Sequence, residues 1–167
     1  MIVTSASAAQ TGAVGATIAR LVEPGDVIVL TGDLGAGKTT LTRGLAEGLG
    51  VATPVTSPTF TLVHEHEGRV RLVHVDAYRL THLQEVHDLG FDDYLDGDAV
   101  VVIEWGDLLG PLLPLDRLDV DLHYAGAPGS EGAGAECRTI ELMPHGPSWT
   151  ARADRLESQL ADAKARP

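Results

Sequence analysis

The sequence predicts an α/β fold, in which a mostly parallel sheet is flanked by helices and extended by an additional antiparallel strand pair. Apolar, β-prone runs alternate with segments of helical spacing, which is typical of parallel sheets. The continuous apolar run at 99–103 suits a central strand that is buried on both faces. A glycine-rich motif lies between a strand predicted at 27–31 and the next helix, so we expect a P-loop NTPase-like fold.

The 167 residues are predicted to form a single domain, 1–167, because this length suits one core. Ser7 and Gln10 form a capping box that begins the first helix, and 81–89 has helical spacing. Residues 125–136 are rich in Gly, Ala and Pro and are predicted to form a flexible loop, before a C-terminal helix at 148–163. The remaining strands are predicted at 1–4, 61–66, 70–76, 117–123 and 138–143.

The charge of the chain limits its partners. The chain has 12 basic and 24 acidic residues, which gives a net charge of −12, and the basic residues are scattered along the sequence. Direct binding to nucleic acid or to an anionic membrane requires a basic face, so neither is expected. Cys137 is the only cysteine, which excludes a disulfide within the chain. No basic and apolar N-terminal signal or transmembrane-length run is present, so we expect a cytoplasmic protein.

The motif at 32–39 reads G-x-x-x-x-G-K-T, the phosphate-binding loop of P-loop NTPases. Glycines let backbone N–H groups point at a polyphosphate, Lys38 adds a charge at its β/γ end, and Thr39 offers a hydroxyl to Mg²⁺. The chain contains no asparagine and therefore no guanine-reading N-K-x-D motif, which favours ATP. The predicted nucleotide-binding residues are Gly35, Ala36, Gly37, Lys38, Thr39 and Thr40.

Two acidic residues follow β-prone runs, as a nucleotide hydrolase requires for its metal site. Asp76 ends the run at 70–75, and Glu104 ends the run at 99–103. One is expected to ligate Mg²⁺ and the other to position the attacking water, and the residues alone do not divide the roles. Lys38, Asp76 and Glu104 are thus the catalytic candidates.

Several further residues have two readings. The segment 53–60, with Ser57 and Thr59, is either a plain connector or a switch-like loop near the γ-phosphate. Arg79 is either a phosphate or partner contact or part of a surface salt bridge. Trp105 either packs in the core or couples the nucleotide state to a partner. The histidines at 64, 66 and 74 outline a metal site, although polar strand positions are the favoured interpretation.

Four blocks of sequence together carry a family resemblance. In chain order they read GDLGAGKTTLTRG, SPTFTLV, HVDAYRL and IEW, at 32–44, 57–63, 74–80 and 103–105. They resemble the TsaE family (older name YjeE), the bacterial ATPases required for making threonylcarbamoyladenosine in tRNA. The resemblance covers about residues 8–123, and its combination of blocks is far more specific than the phosphate loop alone.

The resemblance implies a small P-loop α/β domain with weak ATP hydrolysis that matters within a complex. It implies TsaB and TsaD as partners, with tRNA reached only through them. It maps the Mg²⁺ ligands to Thr39 and Glu104, the other functional carboxylate to Asp76, and the switch-like loop to Ser57 and Thr59. The expected function is ATP hydrolysis that allows repeated cycles of tRNA modification.

Two alternatives remain, because the residues by themselves reach only ATP hydrolysis or phosphoryl transfer. A small-molecule kinase would need an acceptor pocket and a lid, often rich in arginine, and 108–130 offers Arg117 alone. A nucleotide-sensing binding module would signal by occupancy rather than by turnover.

Overall fold

Seven strands form one sheet in the computed structural model of the chain, which describes residues 1–58, 61–80, 90–95, 97–125 and 137–164. The sheet order is β1-β7-β6-β2-β5-β4-β3. The strands are β1 (Ile2–Ser5), β2 (Val27–Gly32), β3 (Val63–His66), β4 (Leu72–Asp76), β5 (Val100–Glu104), β6 (Arg117–Tyr124) and β7 (Arg138–His145).

Five of these seven strands run in one direction. The four central strands β6, β2, β5 and β4 pair in parallel, while β3 and β7 are antiparallel to their neighbours and β1 pairs antiparallel with β7. The predicted mostly parallel α/β fold is therefore confirmed. The predicted antiparallel pair is β6 and β7, and β6 also joins the sheet to the phosphate-loop strand β2.

The helices lie on both sides of the sheet. They are α1 (Ala8–Ala19), α2 (Lys38–Gly48), α3 (Phe91–Leu95) and α4 (Gly146–Lys164), with 3₁₀ turns at Ala77–Arg79 and Gly106–Leu112. The larger apolar cluster joins α1, α2 and α4 to one sheet face, and the smaller one joins the other face to α3 and the second 3₁₀ turn. Within the described ranges, no helix combines the length and apolar character that crossing a membrane requires.

Helix α4 begins at Gly146, two residues before the predicted start. Asp116, which precedes β6, accepts hydrogen bonds from the N–H groups of Ser148 (3.0 Å) and Trp149 (3.3 Å). This carboxylate satisfies backbone donors that the first turn leaves unpaired, and its position is set by tertiary structure. The predicted helix at 81–89 and the predicted loop at 125–136, apart from Ala125, lie outside the described residues.

The period-two alternation of the strands decides which side chains meet at the nucleotide motif. In β4, Val73 and Val75 face the smaller cluster, so Leu72, His74 and Asp76 face the side of the sheet that α2 covers. Glu104 is the register partner of Asp76 on the adjacent parallel strand. The two predicted carboxylates therefore lie side by side at the carboxyl edge of the sheet, beside the start of α2.

Helices α1 and α2 approach each other through glycines. A Cβ on Gly44 would lie 1.9 Å from the Gly12 carbonyl oxygen, and a Cβ on Gly15 would lie 2.1 Å from the Leu41 carbonyl oxygen. Backbone atoms cannot rotate out of such a contact as a side chain can. A Cβ on Gly12, by contrast, would meet its nearest atoms only at 3.9 Å. The two facing glycines thus differ in the space around them.

This difference predicts opposite effects of one substitution. Gly44→Ala should destabilise the chain by about 1–3 kcal/mol, because the new methyl group must push the helices apart. Gly12→Ala should leave the free energy of unfolding unchanged or raise it by up to about 1 kcal/mol, since alanine favours the helix. Chemical denaturation of the two variants checks this. Equal effects of the two substitutions would contradict the close helix contact at Gly44.

Candidate nucleotide-binding site

The phosphate loop connects β2 to α2 and depends on glycine geometry. Gly32, Gly35 and Gly37 have φ values of 118°, 80° and 114°, in the left-handed region that favours glycine. A Cβ on Gly35 would lie 2.9 Å from the Tyr124 hydroxyl. Gly37 directly precedes the first residue of α2, so the loop leads into a helix N-terminus, a favourable position for phosphate.

Ala36 is turned away from the pocket. It is fully buried, its N–H donates to the Asp33 carbonyl at 3.1 Å, and its own carbonyl accepts from Arg138 Nε at 2.8 Å. Arg138, on β7, thus fastens the middle of the loop to the sheet. Gly35, Gly37, Lys38, Thr39 and Thr40 border the pocket and Ala36 is not among its lining residues. The nucleotide contacts of all six residues stay predictions.

The pocket at this loop has a volume of about 370 Å³, within the range of small-molecule sites. It brings the loop together with both strand-end carboxylates and with the segment before β3. Its remaining lining residues are Leu34, Ser57, Asp76, Tyr78, Glu104 and Trp105.

Thr39 and Glu104 meet across the pocket floor. The Thr39 hydroxyl lies 2.9 Å from Glu104 Oε1 and 3.1 Å from Oε2, and Glu104 is only 3% exposed. A hydroxyl and a carboxylate are oxygen ligands of the kind that Mg²⁺ prefers. Within the described residues there is no group of three or more His, Cys, Asp or Glu side chains that could hold a metal ion. This pair therefore fits a metal that takes its other ligands from phosphate and water.

Lys38 is held inside its own loop. Its ammonium donates to the carbonyls of Gly32 (2.6 Å) and Asp33 (2.9 Å) and lies 3.5 Å from the centroid of the Trp105 ring. Burial lowers the pKa of Lys38, and the charge of Glu104 opposes this shift. Carbonyl oxygens and the face of an aromatic ring are both sites of negative potential that attract the Lys38 ammonium. An anionic phosphate can take their place as its partner.

Asp76 belongs to a separate set of contacts. Its Oδ2 accepts from the Ser57 hydroxyl at 2.8 Å, and its Oδ1 accepts from the Tyr78 N–H at 3.1 Å. Ser57 belongs to the segment predicted as switch-like, and Arg43 anchors that segment to α2 by donating to the Val55 carbonyl at 2.8 Å. The two strand-end acids thus differ in their surroundings: Glu104 contacts the phosphate loop, and Asp76 contacts the switch-like segment.

His74 was considered from sequence only with His64 and His66, as the outline of a metal site, and its contact with Glu104 was missed. It is fully buried, and its Nε2 lies 2.8 Å from Glu104 Oε1. The signal that could have found it is the spacing of two residues from Asp76, which places both on one face of β4. Tyr78, also missed, lines the pocket and contacts Trp105, with ring centroids 5.0 Å apart and ring planes inclined at 48°.

The remaining predicted residues lie as follows. Trp105 packs against the smaller apolar cluster and also lines the pocket, while its coupling of the nucleotide state to a partner stays a prediction. Arg79 is exposed and is not among the described residues that line the pocket. Thr59 lies outside the described residues. His66 is buried against Thr53, with a pKa that burial lowers, in keeping with the polar strand interpretation.

A phosphate loop between a central parallel strand and its following helix, with acids at the ends of two neighbouring strands, defines the P-loop NTPase class. The family model for the threonylcarbamoyl adenosine biosynthesis protein TsaE matches residues 5–130. The chain therefore belongs to the TsaE family.

Individual relatives support this assignment. The tRNA threonylcarbamoyladenosine biosynthesis protein TsaE of Bacillus subtilis is 46% identical over 118 residues, which cover 70% of this chain and 73% of that protein. Its counterpart of Streptomyces coelicolor is 44% identical over 139 residues, covering 81% and 90%. The crystal structure of Bacillus subtilis YdiB superposes with a TM-score of 0.79 at 33% identity, covering 95% of this chain and 94% of YdiB.

Proposed function

We propose that this chain is an ATPase of tRNA threonylcarbamoyladenosine biosynthesis, which hydrolyses ATP within a complex with TsaB and TsaD and so allows repeated cycles of modification. The observation that carries the hydrolytic part is the contact of Thr39 with Glu104 in the phosphate-loop pocket. The family assignment and the names of the relatives support the pathway.

The contacts support different roles for the two acids, metal binding for Glu104 and water positioning for Asp76. Thr39 and Glu104 would hold Mg²⁺, since their oxygens already lie within 3.1 Å of each other on the pocket floor. Bound Mg²⁺ would neutralise part of the negative charge that develops on the phosphate oxygens. Lys38 would give up its hydrogen bonds to the loop carbonyls and bind the β/γ end of ATP, where its positive charge offsets the charge of the phosphates.

Asp76 would position the attacking water. Ser57 and the Tyr78 N–H orient its carboxylate in the pocket, beside Glu104 in register. The water oxygen forms a bond to the γ-phosphorus while the bond from that phosphorus to the bridging oxygen breaks, and that oxygen leaves with ADP. Asp76 orients the water by accepting a hydrogen bond from it, and both protons of the water remain on the inorganic phosphate product. Because Ser57 belongs to the switch-like segment, movement of that segment would alter the orientation of Asp76.

The surface around the pocket supports a role inside a complex. Leu34 is 80% exposed and Tyr78 is 54% exposed, and both line the pocket. Large exposed apolar side chains at the rim of a polar site suit contact with a protein partner. The net charge of −12 favours tRNA binding by TsaB and TsaD rather than by this chain. A cytoplasmic location is part of the same proposal.

Lys38→Met should weaken ATP binding by about 10–100-fold, because hydrogen bonds to charged groups contribute about 1.5–3 kcal/mol. Isothermal titration with a non-hydrolysable ATP analogue measures this. Lys164→Met, which removes the only other lysine of the chain, is the matched control and should bind normally. Equal affinity of the Lys38 variant and the wild type would contradict the assignment of the phosphate loop.

A reconstituted modification assay tests the function as a whole. TsaB, TsaD, tRNA and threonylcarbamoyl-adenylate are combined with and without this chain, and modified tRNA is counted per TsaD. We expect many products per complex with the chain and about one without it.

A stoichiometric phosphorylated small molecule instead of free phosphate would favour a kinase. Repeated cycles with a variant that binds ATP without hydrolysing it, such as Glu104→Ala, would favour a nucleotide sensor.

A further inference from the structure

We propose that His74 is a positioning residue for Glu104: it holds one carboxylate oxygen and thereby leaves the other to the metal ion. This inference rests on the proposed ATPase function, because it assigns His74 a part in the same reaction. His74 lies outside the phosphate-loop motif, on β4, which pairs with the strand β5 that carries Glu104.

The geometry of two parallel strands brings the pair together. His74 pairs in register with Val102 on β5, and Glu104 follows two residues later on the same strand face. Both side chains are buried, His74 at 0% and Glu104 at 3% exposure, and His74 Nε2 lies 2.8 Å from Glu104 Oε1. Burial removes competing water, so this hydrogen bond determines where the carboxylate points.

The chemistry of the two groups determines the direction of the bond. A carboxylate only accepts, so the proton lies on His74 Nε2, which donates to Glu104 Oε1. His74 Nδ1 is buried and has no hydrogen-bond partner among the described residues. The ring is therefore expected to donate from Nε2, the one ring nitrogen for which the described residues provide a partner.

This bond distinguishes the two oxygens of Glu104. Among the described residues, Oε1 accepts from both His74 (2.8 Å) and Thr39 (2.9 Å), whereas Oε2 contacts Thr39 alone at 3.1 Å. If the Thr39 hydroxyl bound a metal ion instead, His74 would still hold Oε1, and Oε2 would be available as a ligand. A glutamate without this contact would sample other rotamers, and partners of this kind commonly contribute 10–100-fold to metal affinity.

The Mg²⁺ dependence of hydrolysis tests this role in the full-length chain. His74→Leu removes the donor and should raise the Mg²⁺ concentration for half-maximal hydrolysis by about 10-fold or more. The KM for ATP at saturating Mg²⁺ should stay near the wild-type value. His74→Gln retains an N–H donor at similar reach and should restore most of the Mg²⁺ affinity. An unchanged Mg²⁺ dependence in His74→Leu, or no rescue by Gln, would overturn the proposal.

His66→Leu is the matched control. His66 is also a buried histidine of the β3–β4 hairpin, at 9% exposure, but it bonds to Thr53 through Nδ1 and is not bonded to Glu104 in the described structure. Its replacement should lower stability without changing the Mg²⁺ dependence. If both leucine variants shift the Mg²⁺ dependence equally, the effect is one of packing, and the positioning role is wrong.

A measurement without Mg²⁺ or ATP separates this proposal from the proposed function. Nitrogen-15 NMR of the free chain should show His74 with a slowly exchanging proton on Nε2, and Glu104→Ala should speed that exchange. A proton on Nδ1 in place of Nε2 would overturn the inference even if ATP is hydrolysed. A wild-type chain that shows no Mg²⁺-dependent hydrolysis, even with TsaB and TsaD present, would instead refute the ATPase proposal and, with it, the role of His74 in metal binding, while leaving the His74–Glu104 hydrogen bond intact.

Discussion

Glu104→Gln should lower the rate of ATP hydrolysis by about 100-fold or more, because a metal ion contributes several kcal/mol of charge stabilisation in the transition state. Glutamine is close in size to glutamate, and its carbonyl can still accept from Thr39 or His74. The variant therefore removes the charge with little change in packing. Phosphate release at saturating Mg²⁺, with Mg²⁺-free nucleotide binding as a second measurement, checks this expectation.

Asp107→Asn is the matched control for this variant. Asp107 is an exposed carboxylate whose charge also acts on Lys38, but it is outside the described lining of the pocket. Its replacement likewise removes one negative charge that acts on Lys38 and should leave the rate of ATP hydrolysis close to that of the wild type. If Glu104→Gln hydrolyses ATP as fast as Asp107→Asn does, Glu104 is not the metal ligand.

Arg152→Ala should destabilise the chain by about 3–5 kcal/mol, because it leaves a buried carboxylate without its partner. Arg152 and Asp26 are each 8% exposed and form two hydrogen bonds of 2.6 Å, which raise the pKa of Arg152. Arg152 also donates to the Leu21 carbonyl at 2.9 Å and lies over the Trp149 ring. This one side chain therefore joins α4 to the segment between α1 and β2.

Chemical denaturation measures the loss, with Arg155→Ala as the control. Arg155 is an exposed arginine on the same helix, and its replacement should change the free energy of unfolding by about 0.5 kcal/mol or less. Asp26→Ala combined with Arg152→Ala should be less destabilised than the sum of the single variants, since neither buried charge then lacks a partner. Similar stability of the Arg152 and Arg155 variants would contradict a buried ion pair at this position.

The local signals in the sequence predicted much of the site. The phosphate loop depends on glycines at fixed spacing and on a strand and helix at either side, and all of these are visible within about twenty residues. The positions of Asp76 and Glu104 at strand ends follow from the apolar runs before them. For the same reason, the α/β class and the mostly parallel sheet were predicted correctly, because alternation and apolar runs are properties of neighbouring residues.

Other features depend on which strands become neighbours, and no local pattern contains that information. The sequence by itself determined that a phosphate loop and two strand-end acids exist, but it left their partners open. Only the tertiary structure placed β5 between β2 and β4, so that Glu104 meets both Thr39 and His74, while Asp76 meets Ser57. These contacts join residues up to 65 positions apart, and they follow from sheet register and burial rather than from spacing along the chain.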